Sequence, residues 1–478
     1  MALSKLSQEF DGRGDLYKYS HWRMYPPGAR RLESYLECRI GAKYHKTVPF
    51  GLQYILEEYF TGKRLSKDGI LRRQWKIDQM MGPGTFNIKG WLDMLEAHDG
   101  ALPIRIKAIP EGTVLDNSNA LLVLESVDDR FIWFNNFAET AIMQSWYPTT
   151  VASAQFAKRQ MFLEFLYKTG DPGLIDYKWV DFGYRGVSSQ ESAALGGAAH
   201  LLSFKSSDTM IADDFVEAYY PDLTGAPHTV KMGSVPASEH STTTSWGKEN
   251  EPRAIGNILE AYPTGIVSIV GDSYDYENFV RAIIGGKYRD SILRREGVVV
   301  VRPDSGDPAT MVLRSCQWLE ENFGADYNDK GYKVLNKHVR VIQGDGIDYD
   351  SAYEILATLE RSKYSLDNLT LGEGGGALQK VNRDTQRTAL KASAIDIEGV
   401  WHDVFKDPKT DPGKASKAGH LAVVCVNGVY RTIPKQEGIT YPQDCLVPVF
   451  DTGKILKRYG FDEVRTRVVA NDGTAEDF

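Results

Sequence analysis

Residues able to carry phosphate chemistry recur at the ends of short apolar runs. Arg302 and Asp304 stand in Arg302-Pro303-Asp304-Ser305-Gly306, Asp345 in Gly344-Asp345-Gly346, and Glu373 precedes Gly374-Gly375-Gly376, with Arg383 a short way on. Arginine grips a phosphate through two parallel N–H groups, and consecutive glycines expose backbone N–H groups to an anion. Carboxylates beside them make sense where a divalent cation or sugar hydroxyls need acceptors. The set therefore suggests a sugar polyphosphate with magnesium. Each motif also has a plain reading: the glycine run as a tight turn, Arg302 with Asp304 as an ion pair on a rim. Their joint occurrence favours the phosphate reading.

His240 follows a run of apolar residues in Ser234-Val235-Pro236-Ala237-Ser238-Glu239-His240, and Asp272 closes the next run. An aspartate can orient an imidazole through one ring N–H and raise its basicity, although a lone histidine also serves simply as structure. The nine histidines include no HxH, HExxH or Cys/His spacing, so no direct metal site is expected. GxSxG, GxxxxGK[ST] and a strand-opening GxGxxG are all absent, which removes α/β-hydrolases, P-loop NTPases and Rossmann dehydrogenases from the front rank.

Such residues need elements to bring them together. From about 177 to 385 the chain alternates apolar runs (177–180, 201–204, 229–232, 266–270, 298–301, 339–342 and 369–371) with Gly- and Asp-rich loops. The 41 residues from Asp304 to Asp345 and 29 from Asp345 to Gly374 each fit one βα unit. Seven candidate strands favour an α/β barrel, whose carboxyl-end loops converge on one face. Residues 1–150 mix helical stretches (51–62, 90–98) with β-like ones (102–108, 120–125). A helix is expected over 150–168, and β-like pattern returns at 421–426 and 429–433. The expected organisation is an α+β domain from 1–170 with 386–478, and a barrel over 171–385.

The whole fits an ordinary folded chain of 478 residues, 42% apolar and 25% charged, with a net charge of −8 that argues against nucleic-acid or anionic-membrane binding. Any anion must meet a local basic cluster, of which Lys406, Lys409, Lys414 and Lys417 form one. Cys38, Cys316, Cys425 and Cys445 show no disulfide or zinc spacing, and no run approaches a membrane span. Both features point to the cytoplasm.

Long stretches then resemble one family: DFGYRGVSSQE (181–191), SVPASEHSTTTSWGK (234–248), RPDSG (302–306), VIQGDGID (341–348), GGGALQKVNRD (374–384) and VFKDPKTDPGKASK (404–417), with YPPGARRLESYLECR (25–39), GLQYILEEYFTGK (51–63) and QSWYPTTVA (144–152). In order and over nearly the whole chain, these resemble the nicotinamide phosphoribosyltransferases. The resemblance implies a type II phosphoribosyltransferase fold, a homodimer with shared sites, and nicotinamide, phosphoribosyl pyrophosphate, Mg²⁺ and ATP as ligands. It implies that Phe182 stacks on the nicotinamide ring with the partner subunit's Tyr17 opposite, that Arg185 and Asp208 address the carboxamide, and that Ser268 lies near it. Arg302, Asp304, Gly344, Asp345, Gly374, Gly375 and Arg383 correspond to the ribose and 5-phosphate pocket. Asp15 belongs with the phosphate-binding set, and Arg39, Lys391, Lys406 and Lys414 with the pyrophosphate and ATP phosphates. His240 matches a histidine phosphorylated during ATP hydrolysis, with Asp272 as its partner. Magnesium is expected through pyrophosphate rather than on protein ligands. The sequence departs from the family pattern at Glu373, where a small polar residue is usual, and in a short loop after Arg39. Glu373 either adds negative charge beside the phosphate glycines or faces solvent. A nicotinate-using enzyme is the nearest alternative, opposed by the charge of Asp208. A non-catalytic phosphosugar-binding protein is another, opposed by the retention of His240, Asp272, Arg302 and Asp304.

Overall fold

A computed structural model describes residues 8–410, 415–435 and 443–477. The chain divides into two compact units. One comprises Met1–Ser153, Ala218–Pro227 and Asn382–Val468, the other Ala154–Glu217, His228–Val381 and Val469–Phe478. The N-terminal part and most of the C-terminal part thus contribute to the first unit, while Val469–Phe478 joins the second. The first unit's limits differ from 1–170 with 386–478: the first division falls inside the helix Trp146–Thr169, Ala218–Pro227 joins this unit, and Val469–Phe478 leaves it.

Among the described residues, the second unit holds a parallel six-stranded sheet in the order Ser206–Ser207, Trp179–Asp181, Leu369–Glu373, Val339–Gln343, Glu296–Arg302, Thr264–Val270. Its edges are joined by 233–238: Ser207 N–H donates to Gly233 O (3.1 Å), and Ser238 N–H to Ser268 O (2.9 Å). A ring of parallel strands results, as in a barrel. Alternate residues Val267, Ile269, Val299, Val301, Val339, Val341, Leu369 and Leu371 share one buried core.

Five of the seven expected strands form at or beside their places. The run 201–204 instead ends the helix Gln190–Leu201, which Ser189 caps through Ser192 N–H (3.0 Å). Ala198, Ala199 and Leu201 are fully buried there, and a short apolar run has no periodicity that separates a buried helix end from a strand. The run 229–232 is irregular, and strand-like pairing falls on Gly233 and Ala237 just beyond it.

In the first unit, a seven-stranded antiparallel sheet has at its centre Thr388–Ile397, Ala29–Cys38, Ala120–Ser126 and Ile104–Ala108. Leu421–Val426 and Val429–Pro434 make a separate hairpin. Among the described residues no helix is long and apolar enough to cross a membrane.

Candidate active site

In the second unit the expected residues gather at the carboxyl ends of the parallel strands. Two acidic residues of these loops are helix caps: Asp307 accepts from Thr310 N–H (2.9 Å) and Asp348 from Ser351 N–H (2.9 Å). Asp304 and Asp345 cap neither of these helices.

Phe182 follows the strand Trp179–Asp181, and its N–H donates to Glu373 O (2.8 Å). Its half-buried ring crosses the next two strand ends. A Cβ on Gly372 would lie 2.1 Å from the ring, and one on Gly344 3.0 Å from it. Both glycines are therefore required by close approach rather than by φ. Asp181, fully buried, accepts from Gly183 N–H (2.7 Å) and the Ser207 hydroxyl (3.3 Å), and burial pushes its carboxyl up. It fixes the turn that carries Phe182 and the exposed Arg185. The same stretch is tied to the glycine loop, since Ser188 N–H donates to Gln379 Oε1 (2.9 Å).

Asp208 is exposed, and the Ser234 hydroxyl donates to its Oδ1. Ser268 is buried, with its backbone paired to 236–238. His240 Nε2 lies 2.9 Å from Asp272 Oδ1, leaving Nδ1 on the other side of the half-exposed ring. One ligand atom each from His240, Asp272 and Asp304 fits within 4.8 Å. Arg302 Nη2 reaches Asp304 Oδ2 at 3.5 Å, a loose contact, and its buried Nε has no acceptor. Asp345 is exposed beyond the strand Val339–Gln343, and its carbonyl accepts from Gln343 Nε2 (3.3 Å). Gly374 and Gly375 open the four-residue helix Gly375–Leu378.

Glu373 overturns the solvent-facing expectation and qualifies the other. It does not face solvent, being 1% exposed, and the charge it brings beside the glycine loop is balanced by an ion pair with Lys158, which is itself buried. A buried carboxylate needs such a partner.

The first unit carries the remaining basic residues. Arg39, just after the strand Ala29–Cys38, pairs loosely with the buried Glu37 (Nε to Oε1, 3.7 Å), and its buried Nε and Nη2 make no hydrogen bond. Lys391 lies on the adjoining strand, where Tyr35 pairs with it. Burial lowers its ammonium, and the charges of Arg39, Lys406 and Arg383 push the same way, against Glu139. Four cations thus act in one neighbourhood that also holds Glu37 and Glu139, and the Arg39 donors that make no hydrogen bond suit an anion with several oxygens. Lys406 N–H donates to Ser416 Oγ (2.8 Å), closing its loop. Lys414 lies outside the described residues. Asp15 and Tyr17 are exposed, with Asp15 accepting from the Thr140 hydroxyl (2.7 Å).

Residues 177–441 match the nicotinate phosphoribosyltransferase (NAPRTase) family, and 11–106 match the nicotinamide phosphoribosyltransferase N-terminal domain. A nicotinamide phosphoribosyltransferase of Xanthomonas campestris pv. campestris is 43% identical, over 95% of this chain and 97% of that one. The chain belongs to the nicotinamide phosphoribosyltransferase family. Another member, from Acinetobacter baylyi, is 32% identical over 95% of this chain and 96% of its own. The fold is that of type II phosphoribosyltransferases. A Pyrococcus furiosus nicotinate-nucleotide pyrophosphorylase superposes with a TM-score of 0.56 at 13% identity (97% of this chain, 95% of that one). Human nicotinic acid phosphoribosyltransferase does so with 0.56 at 15% (95% and 92%).

Sequence reasoning missed Ser207 and Lys158, which lie in no recognisable chemical motif, and gave no role to Ser234, although it opens the stretch that carries His240. Gly372 carried a signal, because a glycine one residue before a strand end often marks close approach of another group.

Proposed function

We propose that this chain transfers the phosphoribosyl group of phosphoribosyl pyrophosphate to nicotinamide, releasing pyrophosphate and nicotinamide mononucleotide. The observation that carries the reading is the Phe182 ring lying over Gly344 and Gly372, among strand ends that bear Arg302, Asp304 and the glycine loop. A flat apolar platform beside phosphate and ribose ligands is what joining a pyridine to a sugar phosphate requires.

The pyridine nitrogen supplies the electron pair for the new N–C1 bond, and the C1–O bond breaks with its pair leaving on pyrophosphate. No proton need move. Positive charge grows on the ribose, where Asp304 and Asp345 are near enough to the strand ends to favour it. Negative charge grows on pyrophosphate, where Arg302 suits it, and the first unit's cluster of Arg39, Lys391, Lys406 and Arg383 suits an anion of the same chemistry. Magnesium, brought in by pyrophosphate, would supply further charge neutralisation. Asp272 and Asp304, with ligand atoms within 4.8 Å, are the residues that would hold such an ion.

ATP joins as an energy source. His240, its Nε2 held by Asp272, attacks the γ-phosphorus through Nδ1 and releases ADP, and the phosphohistidine is hydrolysed later in the cycle. Two subunits share each site, with the partner subunit's Tyr17 facing Phe182. The exposed Tyr17 ring supports this. A cytoplasmic setting fits four free cysteines.

The test incubates protein with phosphoribosyl pyrophosphate, Mg²⁺ and either nicotinamide or nicotinate, then separates the products. Nicotinamide mononucleotide as the main product is expected. Preferential use of nicotinate reassigns the substrate, and no nucleotide from either overturns the reading.

A further inference from the structure

The buried Lys158–Glu373 pair is not used by the reaction just described. Glu373 nevertheless connects three of its parts. Its carbonyl holds the N–H of Phe182 at 2.8 Å. Its chain continues directly into Gly374, where the glycine loop starts. Its side chain lies under that loop, for a Cβ on Gly376 would come 2.8 Å from Oε1 and 3.0 Å from Ile347 O. Gly376 therefore sits directly on the carboxylate.

The carboxylate is itself clamped. Oε2 pairs with Lys158 Nζ and accepts from Trp179 Nε1 (3.2 Å). Lys158 comes from the helix Trp146–Thr169, and its ammonium also lies 5.2 Å from the Trp179 ring centre. Trp179 is fully buried and begins the strand that ends at Asp181. One ion pair thus joins the long helix, the strand leading to Phe182 and the strand leading to the glycines. A buried pair is a poor source of stability but a strict geometric constraint, because neither charge tolerates losing the other.

We propose that Lys158 and Glu373 are positioning residues that hold the glycine loop and Phe182 in register, so that the 5-phosphate and the pyridine ring are bound in one fixed relation. The proposal rests on the phosphoribosyl-transfer reading, and it concerns residues that touch neither substrate.

The charged groups acting on Glu373 are Lys158 from the helix and Asp181 from the neighbouring strand, where Asp181 stands opposite it. Burial and Asp181 favour its protonated form, and Lys158 opposes them. Removing the ammonium therefore leaves a carboxyl that is neutral in acid and an unpaired buried anion in alkali. Disturbance of the loop then grows as pH rises.

The experiment measures phosphoribosyl pyrophosphate binding by calorimetry, and its KM and kcat across pH, for the wild type, Lys158→Met, Glu373→Gln and the double variant. Wild-type binding is the control for the underlying reading. If the wild type binds no phosphoribosyl pyrophosphate, that reading fails, whatever the variants do. Given wild-type binding, Lys158→Met is expected to raise KM for phosphoribosyl pyrophosphate about tenfold on the alkaline side, with a smaller change in acid. The double variant, with neither charge of the pair left to bury, is expected to lose the pH dependence that Lys158→Met introduces and return to the wild-type profile, Asp181 being common to both. Melting temperatures separate this from a loss of fold. If Lys158→Met does not fold, Glu373→Gln and the double variant decide, the double binding more tightly than the single. Wild-type KM and pH profile in a folded single variant overturn the proposal, as does a loss confined to melting temperature.

Discussion

Replacing Gly372 by alanine tests the platform on which the proposed chemistry depends. The backbone at 372 is not left-handed, so alanine meets no conformational penalty and the change is one of space alone. The new methyl would lie 2.1 Å from Cε2, 2.6 Å from Cδ2 and 2.9 Å from Cζ of Phe182. Carbon atoms rest about 3.5 Å apart or more, so the ring must move by about 1.4 Å. Its N–H remains tied to Glu373 O, so the movement is a rotation of the side chain that tilts the stacking face. Overpacking of this kind costs about 1–3 kcal/mol of stability. A misplacement of about 1 Å at a reacting group costs on the order of a hundredfold in rate. Gly372→Ala is therefore expected to lower kcat/KM for nicotinamide about a hundredfold while leaving a folded protein. Steady-state kinetics at saturating phosphoribosyl pyrophosphate, alongside thermal melting, measure both. In a Phe182→Ala background the same substitution should add little, since the ring it displaces is gone. A Gly372→Ala enzyme with wild-type kcat/KM, or equal losses in the two backgrounds, refutes the argument.

Asp208→Asn is expected to shrink the preference for nicotinamide over nicotinate about tenfold, chiefly by weakening nicotinamide use; unchanged selectivity in competition assays removes Asp208 as selector. His240→Ala should keep ATP-independent synthesis yet lose both ATPase activity and stimulation by ATP, and surviving stimulation places the coupling elsewhere. Mixing inactive Tyr17→Ala and Arg302→Ala subunits should restore roughly a quarter of wild-type activity, because about half of randomly exchanged dimers are mixed and each of those has one intact site. No recovery after verified exchange means that Tyr17 serves its own chain. Glu33 hydrogen-bonds His420 (2.8 Å) and raises its imidazole above the ordinary 6.5. A raised folded value stabilises fully below that ordinary value and fades as pH rises through the higher one. Melting temperatures of the wild type and His420→Gln should therefore differ most in mild acid and converge in alkali.

Much of the site was legible from residue types alone. Arg302, Asp304, Asp345 and the glycines stand at ends of valine- and leucine-rich runs, and in a parallel sheet every such end faces the same way. Local chemistry and spacing were enough to place those residues on one rim. The same reasoning failed at 201–204 and 229–232, where a few apolar residues fit a buried helix end, an irregular link or a strand equally well. Only hydrogen bonding to neighbours distant in the chain decided between them. Asp307 and Asp348 looked no different from Asp304 and Asp345 until the helices they cap were seen to begin there. The environment of Glu373 was beyond sequence reasoning for a related reason. Its neighbours in the chain are glycines, whereas its charge is balanced by Lys158, 215 residues away. A side chain's partners in a core are chosen by packing between elements, and nothing in the local sequence records them.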